Sequence, residues 1–136
     1  MKISAKAEYA CLAALDLARR SPDDPPARIR EISEANGIPE RYLVQILLQL
    51  KGSGLVVSTR GALGGYRLAR SPESISLGEV LSAIDGPEAP AREAHEPAAQ
   101  ALAVVWQHVR AAEKAVLDKI SLAKLASQTS PREWVI

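Results

Sequence analysis

Between residues 41 and 70 the chain carries Arg41, Lys51, Arg60, Arg67 and Arg70 and no aspartate or glutamate. Like charges that gather without acids form a coherent positive face, the electrostatic footprint of a polyanion. The same stretch holds Gln45 and Gln49. Arginine can donate two parallel hydrogen bonds to guanine O6 and N7, and glutamine can pair with the adenine edge. The total charge says nothing of this kind: it is +1 over 136 residues, with a sequence pI near 7.9. The distribution carries the argument.

Other chemistries find less support. Cys11 is the only cysteine, so neither an internal disulfide nor a cysteine metal site can form from it alone. Its setting, "YACLAAL", predicts a small core residue. The run "GALGG" is rich in glycine, but no GK[ST] and no helix follow it, which disfavours a nucleotide loop. No nucleophile, base and orienting acid stand at a suggestive spacing, so no enzyme is expected. His108 falls inside a helical pattern and reads as a surface or seam residue.

These residues need elements to hold them. Length and composition (47% hydrophobic, 24% charged) suit one globular domain. No apolar run approaches the roughly 20 residues that span a bilayer. The start, "MKISAKAEYACLAALDLARR", has the lysines of a weak signal peptide, but Glu8, Asp16, Arg19 and Arg20 interrupt it. It reads as an amphipathic helix over 4–19 with Ser4 as N-cap, and a cytoplasmic location is expected. Ala10, Ala13, Ala14, Leu17 and Ala18 form its apolar face, and "SPDDPP" stops it.

A short helix is expected over 28–35, with Ile29, Ile32 and Ala35 on one side and Gly37 in a left-handed C′ position. A third helix opens at Pro39 and Glu40. Its predicted buried stripe is Tyr42, Leu43, Ile46, Leu47 and Leu50, and Gly52 and Gly54 close it. Helix, tight glycine turn, helix is helix-turn-helix anatomy. "LVVS" (55–58) and "YRLAR" (66–70) then flank a glycine-bearing connection and predict a hairpin, a wing. Gly61, Gly64 and Gly65 are expected to supply positive φ there.

"SLGE" is a capping box that opens a fourth helix over 77–85, with Leu77, Val80, Leu81 and Ile84 inward. A proline-bounded polar linker follows, and a long helix begins near residue 98. Leu102, Val105, Val109, Ala112, Val116 and Ile120 keep a 3-4-3-4-4 spacing, widened by Trp106 and Leu117, close to a coiled-coil seam. A second copy of the same helix is the economical cover, so a homodimer is expected. Ser121 is placed as the cap of a last short turn. The fold class is mainly α with a small β-hairpin: a winged helix-turn-helix domain over 1–86 with its wing at 55–70, a linker over 87–97, and a dimerisation helix with a C-terminal tail over 98–136.

With these elements in place, "IREISEANGIPERYLVQILLQLKGSGLVVSTRGALGGYRLAR" and "ISLGEVLSAIDG" resemble the Rrf-two family of bacterial winged-helix transcription regulators. The resemblance covers residues 1–86 closely and the long helix more loosely. It implies a homodimer on a palindromic or near-palindromic stretch of double-stranded DNA, with repression as the family default. It places Pro39, Glu40, Arg41, Tyr42 and Gln45 on the recognition helix. It places Ser58, Arg60, Gly61, Gly64, Gly65 and Tyr66 in the wing, with Arg60 entering the minor groove, and Lys2, Lys6 and Tyr9 near phosphates.

Two departures stand out. The residue before Gln45 is often glutamate in the family and is Val44 here, which can touch at best a thymine methyl. Sensing members hold an iron–sulfur cluster through three cysteines ahead of the long helix. With Trp106 as anchor, the last of these falls at Gln100, and a histidine ligand of some members falls at Ala103. No iron–sulfur cluster is therefore expected. Some members use a carboxylate at Glu8, and Glu8 with His95 would suit zinc or nickel. An exposed helix glutamate and a linker histidine is the plainer reading. An unknown small-molecule effector stays open, as do a non-cysteine sensor site and a protein-interaction winged helix without a DNA role.

Overall fold

A computed structural model describes residues 2–86 and 95–129. Most of the expected linker and the expected tail lie outside the described residues. The described residues hold six α-helices, one hairpin and a short 3-10 turn at Pro72–Ser74: α1 (Ala5–Arg19), α2 (Ile29–Asn36), α3 (Glu40–Gly52), β1 (Val56–Thr59), β2 (Gly65–Leu68), α4 (Leu77–Asp85), α5 (Pro97–Asp118) and α6 (Leu122–Gln128).

Local chemistry fixes the ends. The Ser4 hydroxyl accepts from the Ala7 N–H at 3.1 Å and caps α1. Gly37 terminates α2 at φ 65°, ψ 31°, where a Cβ is unfavourable. The Ser76–Glu79 capping box forms in both directions. Glu79 also accepts from Arg70 at 2.6 Å, so one carboxylate caps α4 and anchors the segment after the wing.

The core lies where α1, α3 and α4 meet. Ala7, Ala10, Ala13, Leu43, Ile46, Leu47, Leu50 and Val80 are fully or almost fully buried there. Alanines on α1 allow the helices to approach closely, and leucine and isoleucine on α3 fill the gap. Two expectations about faces differ from the structure. Tyr42 is 40% exposed instead of joining the buried stripe. Ala35 is exposed, and Asn36, with Ile29 and Ser33, is half-buried instead. The reason is Asp16, a buried carboxylate that accepts from Asn36 Nδ2 at 2.8 Å and Arg20 Nε at 3.2 Å. A buried charge needs such partners, and they decide which side of α2 turns inward.

Beyond α5 the described chain returns to the core. α6 returns to pack along α1, and Leu122 is fully buried in the core. Two backbone bonds place it: Leu77 N–H to Ile120 O at 2.8 Å and Leu122 N–H to Ile75 O at 2.9 Å. Ser121 caps α6, as expected, by accepting from Lys124 N–H at 3.1 Å. Ile120 consequently sits past the end of α5, half-buried in this junction, not in a helical seam.

Candidate nucleic-acid interface

The outer side of α3 is built by default from the inner one. With Leu43, Ile46, Leu47 and Leu50 buried, the opposite stripe is Arg41, Val44, Gln45 and Leu48, spaced i, i+3, i+4, i+7 and all exposed. Pro39 is the N-cap and Glu40 the first helical residue, both exposed. The Arg41 guanidinium lies 4.9 Å from the centroid of the Tyr42 ring, a cation–π distance. The half-buried Tyr9 ring lies 6.3 Å from that of Tyr42. The structure thus joins the start of α1 to the start of α3 through Tyr9, Tyr42 and Arg41. Lys2 is exposed and Lys6 half-buried at the same end of α1.

The hairpin is antiparallel, with Val56 opposite Leu68 and Thr59 opposite Gly65. Its glycines divide their work differently from expectation. Only Gly61 takes positive φ, at 104°. Gly64 and Gly65 are needed for space: a Cβ on Gly64 would strike the Thr59 carbonyl, and one on Gly65 the Ala27 carbonyl. Ala27 and Tyr66 exchange backbone bonds of 2.7 and 3.0 Å, so the segment before α2 adds a third rung to the wing. Tyr66 is half-buried against the core, a supporting position.

The arginines also separate by role. Arg70 is engaged by Glu79, and Arg67 donates to the Pro22 carbonyl at 2.9 Å. Both arginines are thus engaged within the chain itself. Lys51 donates to the Ser58 hydroxyl at 2.8 Å and so ties α3 to β1. Arg60 sits exposed beside Gly61 with no side-chain partner among the described residues. Sequence reasoning missed Arg28, whose guanidinium donates to the Ala62 carbonyl and holds the turn of the wing. Lying outside the acid-free stretch, it gave no signal.

α2, the turn at Gly37 and α3 make a helix-turn-helix, and β1 and β2 make the wing beside it. The Rrf2 family model, described as "Iron-dependent Transcriptional regulator", matches residues 3–128. The chain belongs to the Rrf2 family. It is 38% identical over 131 residues to the HTH-type transcriptional regulator CymR of Bacillus subtilis, spanning 95% of this chain and 92% of that protein. It is 35% identical over 130 residues to the regulator IscR of Aliivibrio salmonicida, spanning 92% of this chain and 77% of that one. The solved structure of B. subtilis CymR, titled the global cysteine regulator, superposes with a TM-score of 0.80 at 36% identity, covering 96% of this chain and 99% of that one. IscR of T. potens superposes with a TM-score of 0.80 at 32% identity, covering all of this chain and 92% of that one. This Rrf2 protein is accordingly an HTH-type transcriptional regulator with a winged-helix fold, not an enzyme. No helix among the described residues is long and apolar enough to cross a membrane.

The family description names iron, and this member's residues do not fit a thiolate-held cluster. Such clusters take several cysteine ligands, and this Rrf2 chain has one cysteine. Burial, then the nearby carboxylates of Glu8 and Asp85, push the Cys11 thiol up to about 11. A metal-binding or reactive thiol needs the opposite shift. Among the described residues no group of three or more histidine, cysteine, aspartate or glutamate side chains could hold a metal.

Proposed function

We propose that this Rrf2 regulator acts as a homodimer on a palindromic or near-palindromic promoter site, as a repressor, without an iron–sulfur cluster. In this reading α3 enters the major groove and the wing reaches the adjacent minor groove. Phosphates meet Lys2, Lys6 and Tyr9, which supply affinity and register but no sequence information. Arg41 and Gln45 read base edges. Arg60 favours a narrow, A/T-rich minor groove of high negative potential.

The observation that carries the reading is the pairing of Arg60 at the wing, without a partner among the described residues, with the exposed Arg41–Gln45 edge of α3, in a stretch that lacks any acid. The dimer rests on α5. It has no buried residue, and Leu102, Val105, Trp106, Val109 and Val116 are each about half exposed. Apolar groups spaced for a seam are stabilised by a second copy of it. Two α3 helices would then read half-sites one helical turn or a multiple of it apart.

Selection from random duplexes, followed by binding at several salt concentrations, tests this. The expected result is a two-fold-related motif and a steep fall of affinity with salt. Enrichment of no motif would overturn sequence-specific binding, and an asymmetric single half-site would overturn the dimer.

A further inference from the structure

The outer stripe of α3 holds two side chains that the proposed readout leaves idle. Val44 is 42% and Leu48 58% exposed, in the middle of a helix whose other long aliphatic side chains are buried. They alternate along the stripe with Arg41 and Gln45, so whatever meets the polar pair also meets the apolar pair. Among the described residues nothing covers them fully. An aliphatic patch facing the major groove has one apolar feature to meet there, the 5-methyl group of thymine. Arg41 and Lys51 flank the patch, against a single carboxylate, Glu40, one turn before Val44; this net positive setting fits the patch to DNA and disfavours an ordinary protein partner.

We infer that Val44 and Leu48 are specificity residues, forming an apolar strip that reads the 5-methyl groups of one or two thymines in each half-site. This rests on the proposed insertion of α3 into the major groove. It names what the strip adds: discrimination of thymine from cytosine and from uracil, without hydrogen bonds. Arg41 and Gln45 would set the neighbouring purines. The half-site then carries a preferred thymine next to positions read by hydrogen bonding.

The test uses the full chain and the duplex enriched by selection. Each thymine is replaced singly by deoxyuridine, which removes one methyl group and leaves every hydrogen-bonding edge intact. Burial of one methyl corresponds to roughly a fourfold change in affinity. The expected result is a loss of about that size at one or two thymines per half-site and none at the others. The loss should vanish in Val44→Ala or Leu48→Ala. Both positions are exposed, so these variants keep the core. Restoration by 5-methylcytosine opposite guanine at the same position, in part, would support the strip further. Deoxyuridine tolerated at every position, or a loss that persists in both variants, overturns the inference and leaves DNA binding standing. No enriched duplex at all overturns both.

Discussion

α3 and α5 each leave a row of large apolar side chains uncovered, and the two rows differ in what lies between them. On α3, Val44 and Leu48 alternate with Arg41 and Gln45. On α5, Leu102, Val105, Trp106 and Val109 form a band that the charged Arg110, Glu113 and Lys114 do not enter until later in the helix. A row mixed with hydrogen-bonding groups suits a surface that is both charged and patterned. A continuous row suits another row like itself. The difference teaches that exposure alone does not name a partner; the side chains in between do.

The sharpest way to break the comparison is to charge the α5 row. Trp106→Glu together with Val109→Glu should give a monomer by sedimentation, because two carboxylates from each copy would meet in a desolvated seam. With two half-sites no longer bound together, affinity for the selected duplex should fall by about 10²–10⁴-fold. The fold itself should persist, since neither residue is buried. A dimer that survives this change would place the interface elsewhere.

The same row was readable in the sequence because a helix repeats every few residues, and the repeat needs no knowledge of the rest of the chain. The stripe of Leu43, Ile46, Leu47 and Leu50 was readable for that reason as well. Long-range pairing hid the remainder. Asn36 faces inward because Asp16, twenty positions earlier, needs a donor. Leu122 completes the core because the strand-like pairing of Ser76 with Ser121 turns the chain back. Gly65 is small because Ala27 approaches it, which no local pattern records. In the candidate interface, Arg60 and Arg41 could be picked out by charge. Distinguishing them from Arg67 and Arg70 required knowing that Pro22 and Glu79 were already there.

On the α3 side of the comparison, Arg60→Ala should cost about 1–3 kcal/mol of specific binding and relax the sequence preference where the wing sits. Arg70→Ala serves as its opposite. Arg70 is held by Glu79 at 2.6 Å, so its loss should loosen the end of the wing and lower stability by up to about 1 kcal/mol in urea unfolding, as for other partly exposed pairs. Equal effects of the two substitutions on DNA preference would erase the distinction between a reading and an anchoring arginine. Lys6→Ala should act more weakly still, reducing affinity for all duplexes alike and the slope of log K against log salt by about one unit. A loss confined to one sequence would move Lys6 from the phosphates to the bases.

The smallest effect belongs to a residue on neither row. Cys11 packs half-buried on α1. Burial, then Glu8 and Asp85, raise its thiol from 9.0 to about 11. Below pH 9 the thiol is protonated in both folded and unfolded chains and contributes no pH dependence. Between pH 9 and 11 the unfolded chain has lost the proton and the folded chain keeps it, so the folded state binds more protons and its stability falls as pH rises. Wild type should therefore lose stability over that window faster than Cys11→Ala, with the difference flat below it. Urea midpoints for the two proteins at pH 7, 9 and 10.5 measure this. Dimerisation and DNA binding at pH 7 should be the same in both. A Cys11→Ala protein that binds DNA differently at pH 7 would make the thiol part of a signal, and the steric and electrostatic case against that role would fail with it.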